Sequence, residues 1–176
     1  AFDPSLLSSP RPTLKSGIAK PIPSSKVNVS GNFQANGHGI PSQKNWSIRG
    51  RALVTDVPIT YLGYVNRDTG VIEVPGHPLD GTPIKDTVLI YPKGSGSTVA
   101  PFVLMGLIYT GRGPMGIINS DVCPLTLPAA SLLGTPYAHS FDADPIMNIN
   151  SGDLVQMQLI DKKTTIKVIS RNDEEQ

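Results

Sequence analysis

The sequence predicts one α/β domain, a mixed sheet or small barrel carrying flanking helices, and three observations lead there. Residues 87–91, TVLIY, form an unbroken apolar, β-branched run of the kind buried on both faces of a sheet. Between residues 87 and 141, strand-like and helix-like segments alternate, as parallel strands with crossover helices require. Strand-like pieces without helices stand at both ends and add antiparallel pairing.

Taken in order, residues 1–45 show neither helical nor strand periodicity. Pro4, Pro10, Pro12, Pro21, Pro23 and Pro41 each remove a backbone donor. Arg11, Lys15, Lys20, Lys26 and Lys44 against Asp3 leave this stretch at +4. We expect an arm or linker, largely irregular, with Val27, Val29 and Phe33 as the side chains that would pack if any do. Asn28 and Asn45 open glycosylation-like triplets too short to carry weight. From Trp46 the composition changes, and residues 46–170 read as the folded domain. Residues 47–55, SIRGRALVT, alternate as a strand. The turn Asn66-Arg67-Asp68-Thr69-Gly70 leads into another, Gly70 to Val74. TVLIY is next, then the turn Gly94-Ser95-Gly96-Ser97-Thr98. An apolar run fits a buried helix, with Pro101 in its first turn and Gly111 past its end. MGIINS is a buried strand, LPAASLLG a short helix closed by Gly134, and TPYAHSF a third strand. GDLVQMQLID and TTIKVIS make a hairpin joined by Lys162-Lys163, and residues 171–176 are a polar tail.

Bulk properties exclude several classes. The 176 residues suffice for one core. Only 16% are charged and the net charge is +1, which leaves no electrostatic footprint for nucleic acid. No apolar run approaches the roughly 20 residues that span a bilayer, so no membrane partner is expected. Cys123 is the only cysteine, so no internal disulfide framework exists, and a reducing cytoplasm is the expected location. Because the chain opens on Ala1 rather than Met, we expect trimming or excision from something longer.

The 94–98 turn lies where open α/β sheets bind ligands, at the carboxyl end of a strand and the start of a helix. Helix-initiating N–H groups lack acceptors and face the crevice, and glycines let the backbone approach a ligand. Ser95, Ser97 and Thr98 add hydroxyls in a field that favours negative charge. One of them binds an anion or moves a proton, or one is only a helix cap; the residues alone leave both open. The remaining candidates are the three histidines and the cysteine. His38 lies in the arm, His139 in a strand, and Cys123 reads as a small buried apolar group. His77, in the Pro/Gly-flanked VPGHPLDG, is the loop candidate. Three scattered histidines and one cysteine lack metal-ligand spacing, so no metal is expected on this chain alone.

The stretch GRALVTDVPITYLGYVNRDTGVIEVPGHPLDGTPIKDTVLIYPKGSGSTVAPFVL, with the later GPMGIINSD, LPAASLLGTP and SGDLVQM, resembles the swivel domain, or small subunit, of the aconitase X family. The resemblance runs from about Ser47 to Ile169. It implies a swivelling β/β/α fold similar to the mobile domain of aconitase. It also implies a partner: a large catalytic subunit or domain bearing an iron–sulfur cluster, over which this domain closes. The family are hydro-lyases that dehydrate mevalonate 5-phosphate or cis-3-hydroxy-L-proline. The serine after Gly-x-Gly corresponds to Ser97 and is the implied acid–base residue; the turn residues Ser95, Gly96 and Thr98 and the loop residue His77 are the expected substrate contacts. Three positions depart from the family pattern: Tyr64 replaces the second glycine of a pair, Asn66 replaces an acid, and Ser95 replaces a Lys or Arg. Loss of that cation tilts the expected substrate slightly toward cis-3-hydroxy-L-proline. Against this dehydratase component stands a non-catalytic anion- or nucleotide-binding module using the same turn, although no Lys follows the glycines as a phosphate loop requires.

Overall fold

The computed structural model describes residues 33–172, in which seven strands and four helices alternate. The strands are β1 (Gln34–Gly39), β2 (Trp46–Val54), β3 (Thr87–Ile90), β4 (Gly116–Asn119), β5 (Tyr137–His139), β6 (Leu154–Ile160) and β7 (Lys163–Ser170). The helices are α1 (Tyr61–Tyr64), α2 (Ala100–Tyr109), α3 (Leu127–Leu133) and α4 (Pro145–Asn148). Around the sheet the order is β1-β5-β4-β3-β2-β6-β7, and β7 pairs back onto β1, so the barrel is closed. β2 through β5 run parallel; β6, β7 and β1 pair antiparallel.

Side-chain alternation sorts two cores. Ala35, Ala52, Val88, Ile90, Ile118, Ala138, Val155, Met157, Ile166 and Val168 come from all seven strands and fill the barrel. Their neighbours Leu53, Leu89, Tyr91, Ile117 and Tyr137 point outward against Val103, Leu104 and Leu107 of α2 and Ala129 and Ala130 of α3. β3 and β4 are therefore buried on both faces, which is why they lack polar alternation. Burying a Leu-sized side chain such as Leu104 is worth about 1.5–3 kcal/mol, so this second core is what holds α2 at the end of β3.

Four expectations need correction. The expected arm spans residues 1–45, but Gln34–Gly39 is strand β1 and Phe33 is buried; residues 1–32, with Val27 and Val29, lie outside the described residues. QANGHG escapes a periodicity search because its glycines and asparagine carry no apolar pattern; pairing to β5 and β7 makes it a strand. Gly70 to Val74 forms no strand, only isolated bridges, because its backbone bonds go to residues 66, 82 and 64 in tight local turns. The polar tail begins too early: Arg171 pairs with buried Asp153 at 2.8 Å, and Asn172 N–H donates to the same carboxylate. Finally, the β6–β7 turn is Asp161-Lys162, both at positive φ, so Lys163 already belongs to β7.

Candidate functional site

The 94–98 turn leaves β3 and enters α2, and three attachments set its path. Ile59 N–H donates to the Lys93 carbonyl and Ser95 N–H to the Ile59 carbonyl, clasping the turn from one side. Ser95 Oγ and Thr60 Oγ1 are 2.6 Å apart, so Ser95 is committed to structure. From beneath, Gly94 N–H donates to Cys123 Sγ at 3.3 Å. Gly96 adopts φ +90°, and a Cβ there would sit 2.6 Å from Thr60 Cγ2. Only glycine satisfies both the conformation and the close approach.

A buried polar network lies below. Cys123 N–H donates to Tyr137 Oη, Tyr137 Oη donates to Asn119 Oδ1, and Asn119 Nδ2 donates to the Tyr91 carbonyl. Tyr91 Oη shares hydrogen bonds with Tyr61 Oη at 2.6 Å and Thr126 Oγ1 at 3.0 Å. Burial pushes the Tyr91 phenol up to about 12 and the Tyr61 and Tyr137 phenols upward too, so all three stay neutral and act as fixed dipoles. These residues escape a sequence search because they come from α1, from β4 and β5, from the end of β3 and from the β4–α3 connection; only the parallel order of β3, β4 and β5 brings them together.

What remains free is a short exposed arc. Ser97 and Thr98 are exposed, and among the described residues the N–H groups of Gly96, Ser97 and Thr98 donate to no protein acceptor. Ala100 N–H returns to the Ser97 carbonyl, and Val99 N–H reaches Ser97 Oγ at 3.3 Å. That last contact gives the serine a local structural role, although the N-cap position of α2 is Val99. Together, the free N–H groups and the positive end of α2 favour an anion, or a developing negative charge on Ser97 Oγ. Lys93, also exposed, precedes the turn by one residue and accepts the Ile59 N–H through its carbonyl.

His77 stands apart from this arc. It is 7% exposed, its Nδ1 accepts from Leu79 N–H, and its buried Nε2 has no hydrogen bond of ordinary geometry among the described residues. Burial lowers its pKa, partly opposed by Asp80 and the Pro58 carbonyl. Pro58 begins the segment that clasps the turn, so His77 reaches the site only through that support. His139 and His38 pair across β5 and β1, ring centroids 5.9 Å apart, with His139 Nδ1 on Ser140 Oγ. Cys123 is buried, as a small apolar group would be, with its sulfur engaged by Gly94. Among the described residues no three His, Cys, Asp or Glu side chains gather as a metal site, and the donor set does not fit an iron–sulfur cluster. No described helix is long and apolar enough to cross a membrane.

Comparison with known proteins is consistent along the length of the domain. The family model described as the aconitase X swivel domain matches residues 41–168. The phosphomevalonate dehydratase small subunit of Methanocella arvoryzae is 36% identical over 123 residues, covering 70% of this chain and 91% of that one. Its counterpart from Methanosarcina acetivorans is 34% identical, covering 61% of this chain and 75% of that one. The crystal structure of Thermococcus kodakaraensis aconitase X in its holo form superposes with a TM-score of 0.67 at 20% identity, covering 78% and 99% of the two chains; that likeness speaks for the fold.

Proposed function

The chain belongs to the aconitase X swivel-domain family, and from that premise we propose that it is the small component of a two-part dehydratase whose large component carries the iron–sulfur cluster. One observation carries the reading: Ser97 presents an exposed hydroxyl just before α2, where the N–H groups of Gly96, Ser97 and Thr98 have no acceptor among the described residues. In this reading the N–H groups and Lys93 hold an anionic group of the substrate. Ser97 Oγ takes the proton from the carbon next to the carboxylate, and the C–H electron pair becomes the new double bond. The hydroxyl on the adjacent carbon departs with its C–O electron pair and leaves as water by taking up a proton from solvent, which balances the proton Ser97 Oγ releases to solvent on becoming the alkoxide base. A preformed field of N–H dipoles lowers the cost of negative charge on Ser97 at the moment it acts as base. Ser95, Gly96 and Thr98 shape the turn, with Thr98 the more exposed contact, and His77 steadies the clasp.

Phosphomevalonate is the substrate favoured by the names of the relatives. A second reading, cis-3-hydroxy-L-proline, is favoured by Ser95 standing where the family carries a cation, with its hydroxyl bound to Thr60. The test is reconstitution with the large component and assay of both compounds. Turnover that requires both components supports the dehydratase, and the preferred compound decides between the substrates. Turnover by the isolated chain, or none by the complex on either compound, removes the reading.

A further inference from the structure

α2 was expected to be a buried helix, but only one of its faces is covered. Phe102 is 67% exposed and Tyr109 85%, and no charged side chain occurs from residue 99 to residue 109. A helix apolar on every side is ordinarily covered on every side, and exposed aromatic clusters mark interaction surfaces. Against this face runs a groove of about 280 Å³ lined by Arg67, Val99, Phe102, Gly106, Leu107 and Thr110. A Cβ on Gly106 would meet nothing within 4 Å, so the groove is open at that point. Arg67 is the only charge in the lining, and among the described residues it has no ion-pair partner.

Resting on the reading above, we propose that this groove docks the large component, taking from it an apolar side chain flanked by a carboxylate that pairs with Arg67. Charge argues against the other occupants. Residues 1–32 hold Arg11, Lys15, Lys20 and Lys26 against Asp3, a net +3 that repels Arg67. Residues 173–176 bring carboxylates but no apolar side chain. A second copy of this face repeats the cation and offers the lining no anion. Position argues for the large component: Val99 lines the groove and donates its N–H to Ser97 Oγ, so a partner seated here touches the segment that carries the serine. An apolar anchor beside a paired charge is also the usual composition of an interface hot spot.

The experiment measures the dissociation constant between the full chain and the purified large component encoded in the same genome, by calorimetry. Gly106→Trp fills the groove, Arg67→Glu reverses its charge, and Lys167→Glu on the outer face of β7 is the control; melting temperatures report folding. We expect the first two to weaken binding by at least about 10-fold with unchanged melting, and the control to bind as wild type. Tight binding by both groove variants overturns the docking site and leaves the proposed function intact. Failure of the wild type to bind overturns both. Variants that alter self-association of the isolated chain, while binding the large component normally, overturn the proposal in favour of a second copy.

Discussion

At the scale of single residues, Ser97 is separated from its neighbours by what each hydroxyl already does. Ser95 Oγ is engaged with Thr60, whereas Ser97 Oγ receives only a long bond from Val99 N–H. Ser97→Ala should therefore change stability by no more than about 0.5–1 kcal/mol, the low end for a lost cap. In the reconstituted complex its kcat should fall by about 10²–10⁴, the usual contribution of an acid–base group, with KM little changed. Ser95→Ala and Thr98→Ala are the comparison; kcat and melting temperature for all three variants check it, and equal mild losses would return Ser97 to a structural role. Cys123 gives a second test. Cys123→Ala leaves the buried Gly94 N–H without an acceptor and should cost about 1–3 kcal/mol, with a lower kcat as the turn loosens. Cys123→Ser restores an acceptor and should recover part of both, read by denaturant unfolding and by assay of the complex.

At the scale of elements, β1 decides where the domain starts. Its six residues pair with β7 through Gln34 to Gly37 and with β5 through His38 and Gly39, so it is the strand that closes the barrel. It also lies outside the family match, which begins at residue 41. A chain beginning at residue 33 should keep a cooperative melting transition, because every pairing of β1 remains. One beginning at residue 41 should lose at least about 3 kcal/mol, since two strand edges open and barrel side chains reach solvent. Calorimetric melting of the two truncations, with amide exchange in β5 and β7, checks the pair. Equal stability would make β1 an accessory strand.

At the scale of the whole molecule, two histidines couple the fold to pH. His77 and His139 both have lowered pKa values, burial being the main cause in each; His38 adds to it for His139, and Asp121 opposes it. Protonation is thus less favourable in the folded chain than in the unfolded one, whose histidines titrate near 6.5. Between the two pKa values the unfolded state binds more protons, so stability is fully present above about pH 6.5 and falls as pH drops below it. Urea midpoints at pH 8, 6.5 and 5 should decline in that order, and His139→Gln should flatten the slope. A midpoint that rises on acidification would show that the barrel seam does not carry this linkage.

Much of this architecture is determined locally, and the sequence by itself was enough for it. The double-sided apolar run of β3, the crossover helices with Pro101 and Gly134 at their ends, the β6–β7 hairpin and the Gly94–Thr98 turn all follow from patterns within a few residues. The motifs around Ser97 were likewise enough to name the family. The tertiary structure alone decided the rest. A strand as polar as QANGHG exists only because two distant edges need pairing, and GVIEV is no strand because its neighbours satisfy it first. The Tyr61–Tyr91–Thr126 cluster, the Cys123 hold on Gly94 and the burial of His77 join residues up to 35 apart in sequence. The exposed apolar face of α2 was equally invisible, because hydrophobicity records what a side chain prefers and only the packing determines which sides of a helix are covered.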